Sequence, residues 1–345
     1  MDSIHDVLSE LNGNPGKEGA IATIILVDGS SYRKEGASMF IFGDGTCIGL
    51  LSAGCLEEDL KERTFQMLKS GQQSQILVYD LSSENDLSWG NGAGCNGIIH
   101  VLLETIDEGF QKQLIHLSRY LGSGTPVLLI REISEETSVV RRRLVPFDYE
   151  NHINRWKLQG ARHVSEEIGS LGSFQKYSKL AENCFYQIYW PKPRLFVLGG
   201  GPDAGPLAVV AEISGFEVHV VDWREAYCTK KHFPSATKCH LVNFDKIFDE
   251  WKWSRLDAAI IMTHQFEKDR VALKYLLNED LFYLGVMGPK LRTSKLIESR
   301  EIPLCLDTPA GLNIGAEGPE EIAISIVGQM IQKMRVNHRA GAAHG

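Results

Sequence analysis

Two cysteines sit inside glycine-bearing segments: Cys55 in Ser52-Ala53-Gly54-Cys55, and Cys95 in Gly90-Asn91-Gly92-Ala93-Gly94-Cys95-Asn96-Gly97. Thiolate sulfur is a soft donor and a nucleophile, so two such thiols suit a soft metal or a sulfur transfer. Gly54 and Gly94 beside them allow positive φ or let a ligand come close to the backbone. Cys55 directly precedes residues 56–69, where Glu57, Glu58 and Asp59 come early, Lys69 comes late and Gly71 follows. That is the charge order a helix dipole favours. A helix N-terminus lowers a thiol pKa, whereas the three acids oppose it. The plain alternatives are a small buried hydrophobe at 55 and a surface loop with incidental residues at 90–97. Two thiols do not complete a four-ligand site.

The second half carries a different chemistry. Residues 195–198 are apolar and run straight into Gly199-Gly200-Gly201-Pro202-Asp203-Ala204-Gly205. Gly199, Gly201 and Ala204 fit G-x-G-x-x-A, with Gly205 one step later. A second apolar run at 217–221 ends in Asp222, where a Rossmann unit places an acid for ribose hydroxyls. Further strand-like runs end in Thr263-His264 and in Gly285-Val286-Met287-Gly288. Pro289 then opens a helix with Lys290 and Arg292, placed to clamp a phosphate. His264 could donate to an anion or move a proton, or simply cap a strand end. In a parallel sheet these segments would converge at the carboxyl ends of the strands. Pro202 removes one backbone N–H from any phosphate cradle, so a Rossmann fold without a dinucleotide stays open as an alternative.

The elements that must position these groups are legible in outline. Ile4, Val7, Leu8 and Leu11 follow helical spacing, and Gly13-Asn14-Pro15-Gly16 ends that helix. A buried strand is expected at 21–27 and a hairpin at 39–42 and 46–51 around Gly43-Asp44-Gly45. Strands are also expected at 76–81, 98–103, 126–133, 139–145 and 184–189, with a helix at 111–121. Arg141-Arg142-Arg143 reads as a solvated strand edge or turn. Trp190-Pro191-Lys192-Pro193 is a stiff break. It separates an N-terminal mixed α/β domain, 1–190, from a C-terminal Rossmann-like, doubly wound parallel-sheet domain, 191–345. In the latter, helices are expected at 204–214, 267–277 and from 319 onward.

The chain has 345 residues, 43% hydrophobic and 23% charged, with formal net charge −8. That fits two domains with real cores and disfavours a nucleic-acid binder, which needs a basic surface. No run approaches the roughly 18–20 apolar residues of a membrane span. The start, MDSIHDVLSE, has neither the basic opening nor the apolar run of a secretory signal,. The seven cysteines include no Cys-x-x-Cys pair, so free thiols in a reducing cytoplasm are expected.

Together the motifs resemble the xanthine dehydrogenase accessory factor family (XdhC/CoxI). The resemblance rests on GSSYRKEGASM at 29–39, SAGCLEEDL at 52–60, GNGAGCNG at 90–97, VLGGGPDAGPLA at 197–208, VVDWREAYCTKKHFP at 220–234, MTHQFEKDR at 262–270, GVMGPKLRTSKL at 285–296 and GLNIGAEGPEEIA at 311–323. It implies a maturation factor rather than the dehydrogenase itself. Such a factor binds molybdenum cofactor (molybdopterin), protects it during sulfuration, and helps insert it into a molybdenum hydroxylase. It also implies a homodimer that contacts a cysteine desulfurase and the target enzyme. The family's cysteine motifs fall on Cys55 and Cys95, the expected metal-contacting pair. The competing expectation is an NAD(P)-dependent oxidoreductase with His264 as acid/base, or a redox-sensing Rossmann protein. A catalytic xanthine dehydrogenase is disfavoured, because no iron–sulfur cysteine spacing occurs.

Overall fold

The computed structural model describes residues 4–14, 16–52, 54, 56–81, 97–134, 139–147, 164, 167–168, 171, 174, 176–242 and 251–336. The chain forms two compact units, Met1–Gly169 with Lys176–Pro191, and Ser170–Gln175 with Lys192–Gly345.

In the first unit, helix α1 (Ile4–Gly13) leads into β1 (Gly19–Gly29), β2 (Ser38–Phe42), β3 (Cys47–Gly49), α2 (Glu57–Ser70), β4 (Ser74–Asp80) and β5 (Gly97–Thr105). The strands make an antiparallel sheet in the order β3-β2-β1-β5-β4. β1 is a continuous apolar run because both its faces are covered. Ala20, Ala22 and Ile24 join Leu56, Leu60 and Met67 of the α2 side in one core. Ile21 joins α1 and α3 (Glu108–Gly122) in another. Residues alternate across a strand, so one segment serves two cores. Helix α2 ends where Gly71 takes a left-handed φ of 72° and returns its N–H to Met67,.

A second antiparallel sheet, in the order β7-β6-β9-β8, holds β6 (Val127–Ile133), β7 (Val139–Pro146), β8 (Ser178–Ala181) and β9 (Cys184–Tyr189). Here the solvated reading of Arg141–Arg143 needs correction. Arg141 and Arg143 are exposed, but Arg142 turns inward. It pairs with the fully buried Glu104 at 2.7 Å and lies over the Phe110 ring. Arg131, 1% exposed, holds the other oxygen of Glu104 at 2.8 Å. A strand pointing alternate residues in and out buries the middle of three arginines, and a carboxylate must meet it there.

The second unit contains β10 (Arg194–Leu198), α4 (Ala204–Ile213), β11 (Glu217–Asp222), β12 (Lys238–Leu241), β13 (Asp257–Ile261), α5 (Phe266–Leu276), β14 (Tyr283–Val286), α6 (Lys290–Leu296), β15 (Leu306–Asp307) and α7 (Gly318–Val336). Its six strands are all parallel, in the order β12-β11-β10-β13-β14-β15. Counted within the unit this is 3-2-1-4-5-6, the Rossmann order. Phe196, Leu198, Ala259 and Ile261 pack against Ala272, Leu273 and Leu276 of α5. Helix α4 lies against β10, β11 and α7.

Candidate functional site

Cys55, Gly94 and Cys95 lie outside the described residues. Their flanks do not. Glu57 lies in the first turn of α2, and its buried carboxylate accepts from the amides of Leu51 (3.3 Å), Ser52 (2.8 Å) and Leu56 (3.2 Å) and from the Ser52 hydroxyl. The Ser52 oxygen also receives the amides of Gly54 (3.2 Å) and Leu56 (3.1 Å). Burial pushes the Glu57 carboxyl up, but the hydroxyl and amide of Ser52 and neighbouring amides leave it below the ordinary range,. Glu57 therefore braces the segment 51–56, a role hidden when it is read only as one of three early acids. Gly54 is exposed with φ 109°, which favours glycine.

The second cysteine-bearing segment is anchored as firmly at its far end. A Cβ on Gly97 would lie 2.6 Å from the Asp28 carbonyl and 2.7 Å from that of Ser30, so only glycine fits there. Leu81 donates its amide to the Gly97 carbonyl at 3.0 Å. Leu51 and Leu56 bracket the first segment, and Leu81 and Ile99 bracket the second. All four pack on the core shared by the central sheet and α2.

In the second unit the expected residues gather at the carboxyl ends of the parallel strands. β10 lies between β11 and β13, where the strand order reverses and ligand crevices form,. Gly199 has φ 117°, and a Cβ there would sit 2.7 Å from the Met262 carbonyl and from Thr263 Cα. A Cβ on Gly200 would run into the Tyr227 carbonyl. Gly201 and Gly205 face open space. The first two glycines are thus required for packing, and the later two leave room for a ligand.

His264 follows β13 with φ 59°, an uncommon backbone state for a side-chain-bearing residue and a frequent mark of functional loops,. Its Nε2 lies 3.7 Å from Asp203 Oδ2, and both side chains are substantially exposed. Asp203 precedes α4, so this pair spans the point where the strand order reverses. Thr263 is held by buried Asp269, which accepts from its amide at 3.2 Å and from its hydroxyl. The same carboxylate takes Arg292 at 2.6 Å.

Two expected ligand roles change on this geometry. Asp222 is buried and accepts four hydrogen bonds, from Gly200 N (2.7 Å), Arg224 N (2.8 Å), Arg224 Nε (2.9 Å) and Arg224 Nη2 (2.8 Å). A carboxylate offers about four acceptor sites, so ribose hydroxyls would have to displace Arg224. Burial pushes this carboxyl up, and Arg224 and Gly200 hold it below its ordinary range. Arg292, expected to clamp phosphate, is paired with Asp269, whereas Lys290 is exposed. Gly285 is buried in β14 against the Tyr283 side chain, and Gly288 takes φ 106° just past the strand. Asp203, Arg224 and Asp269 escaped the sequence reading. The spacing that could have exposed Asp269 is Thr263-x5-Asp269, one helical turn into α5.

Among the described residues, no group of three or more His, Cys, Asp and Glu side chains is arranged to hold a metal, and no helix is long and apolar enough to cross a membrane.

Family models agree with both halves of this picture. One described as the XdhC Rossmann domain matches residues 195–330, and one described as the XdhC and CoxI family matches residues 14–80. A Bacillus subtilis (strain 168) protein, named as a probable xanthine dehydrogenase subunit, is 38% identical over 333 residues, covering 96% of this chain and 98% of that protein. The chain belongs to the XdhC and CoxI family. A solved structure, titled as a xanthine dehydrogenase from Bacillus halodurans, superposes with TM-score 0.82 at 40% identity, covering 99% of this chain and 98% of that one. The Escherichia coli (strain K12) "Molybdenum cofactor insertion chaperone PaoD" is 23% identical over 324 residues, covering 91% and 83% of the two chains. XdhC membership confirms the mixed α/β and Rossmann architecture expected from the motifs.

Proposed function

We propose that this protein is an accessory factor for a xanthine dehydrogenase-type molybdenum hydroxylase, and that molybdenum cofactor is its cargo. Cys55 and Cys95 offer soft sulfur to the metal or to its exchangeable sulfur ligand. What carries this reading is the anchoring of the two cysteine-bearing segments on one core, with Leu51 and Leu56 flanking one, and Leu81 and Ile99 the other. The name of the Escherichia coli relative, a cofactor insertion chaperone, supports it. The protein acts as a carrier, as a homodimer, receiving sulfur through a cysteine desulfurase and delivering to the hydroxylase in the cytoplasm.

The strand-end crevice of the Rossmann unit is proposed as a separate site for a phosphate-bearing ligand, entered past Gly201 and Gly205. A nicotinamide dinucleotide fits this crevice poorly. Its ribose hydroxyls would have to displace Arg224 from Asp222,. NAD(P)-dependent turnover with His264 as acid/base is therefore the second reading.

The test is retention of ligand by the purified full-length chain. After incubation with molybdenum cofactor and removal of free ligand, about one cofactor per chain should remain. Cys55→Ala or Cys95→Ala should weaken that retention at least tenfold. Equal retention by both variants overturns the thiol role. Retention of NAD(H) with turnover, and no cofactor bound, selects the oxidoreductase.

A further inference from the structure

A pair of cysteines in the second unit has no part in the site described above. Cys228 follows a short 3-10 turn (Glu225–Tyr227) after β11, and Cys239 lies in β12, in register with Val220 of β11. Eleven positions separate them in sequence, yet their side chains lie close enough to act on each other, and both are free and half-buried. The Cys228 thiol also meets the backbone of Asp222. Lys230 sets a positive charge near Cys239 while donating to the Ala236 carbonyl.

The turn bearing Cys228 is in direct contact with the glycine segment. The Tyr227 carbonyl occupies the space a Cβ on Gly200 would need, and the Tyr227 ring lies 4.1 Å from the Arg224 guanidinium. A bond from Cys228 to the edge strand would fasten this turn against the crevice mouth.

We propose that Cys228 and Cys239 are a reversible disulfide-forming pair, oxidised by exchange with a low-molecular-mass disulfide such as oxidised glutathione. The Cys239 thiolate attacks one sulfur of the small disulfide, forming a mixed disulfide and releasing one small thiolate. Cys228 then loses its proton and attacks the Cys239 sulfur. The protein disulfide forms and the second small thiolate leaves. Two electrons and two protons pass from the protein to the small disulfide, which becomes two thiols. Burial raises both thiols, Cys228 to about 11, and the Lys230 charge pulls against this at Cys239. Cys239 is therefore the attacking sulfur.

The full-length chain is equilibrated anaerobically with oxidised and reduced glutathione at graded ratios, alkylated, digested with trypsin and read by mass spectrometry without reduction. Cleavage after Arg224, Lys230, Lys238 and Lys246 puts Cys228 and Cys239 on separate peptides. The expected result is one cross-linked pair, lighter by two hydrogens than the two thiols, lost on reduction and absent from Cys239→Ser and Cys228→Ser. Cys228→Ser should instead accumulate glutathione on Cys239. Exposed Cys305 reports that the oxidant is active. The proposal is overturned if Cys305 is fully glutathionylated while Cys228 and Cys239 remain separately alkylated at every ratio. It is equally overturned if either cysteine cross-links mainly elsewhere.

Discussion

The carboxylate of Glu57 receives both the amide and the hydroxyl of Ser52, and so closes the chain on itself around position 54. Replacing Glu57 with Ala leaves the buried amides of Leu51 and Ser52 short of an acceptor. Each buried donor left unpaired costs about 1–3 kcal/mol, so urea unfolding should show a loss in that range or above. Cys55 should also alkylate several-fold faster. Unchanged stability together with an unchanged alkylation rate would remove the bracing role.

Acid should weaken the fold in two stages. His240 is stacked on His219, with Nε2 2.9 Å from His219 Nδ1. Burial, with the charges of His219 and Lys238 adding to it, pushes His240 down to about 4. An unfolded histidine takes its proton near pH ~6.5. Between those values the unfolded state binds more protons, so stability falls as pH drops from about 6.5 towards 4. Glu57 and Asp222 sit below their ordinary range. Their contribution is intact above the unfolded carboxylate values near ~4 and is lost below them. A Tm profile from pH 8 to 3 should therefore bend twice, and His240→Gln should erase the upper bend. A flat profile through the histidine range contradicts the first stage.

Glu104 answers two arginines, Arg131 and Arg142, from a fully buried position. Removing one member of such a cluster strands a buried charge at about 3–5 kcal/mol. Glu104→Ala should lose at least that much in chemical denaturation. A loss under about 1 kcal/mol would mean that Arg131 finds another partner or reaches water.

Gly199 and Gly201 are two positions apart and should behave oppositely. Gly199→Ala forces a Cβ to within 2.7 Å of the Met262 carbonyl, at φ 117°. A destabilisation on the order of 2–4 kcal/mol follows from the strain and overpacking. Gly201→Ala meets nothing within 4 Å, so its Tm should stay within a degree or two. Any ligand held by this turn should bind more weakly. Equal thermal behaviour of the two variants would contradict the packing assignment.

Much of the architecture was readable because single segments carried complete local signals. The apolar run of β1, the charge order of α2 and the glycine turn before α4 each name their own element. β12 and β15 were not readable. Lys238-Cys239-His240-Leu241 is too short and too polar to stand out, and β15 is two residues long, so the neighbouring strands decide both. The site divides the same way. Gly199, Thr263 and His264 come together because parallel strands end together. The saturation of Asp222 by Arg224, and the hold of Asp269 on Thr263 and Arg292, depend on side-chain directions that spacing alone does not specify.

Residues 170–175 are grouped with the second half of the molecule, though the stretch after them returns to the first. Phe174 stacks edge-on against Phe282, 5.6 Å between ring centroids. Recombining halves between homologues at any one junction would therefore strand this short detour in the wrong parent. Chimaeras that carry it along with residues 192–345 should express better than those cut cleanly at the proline-rich break.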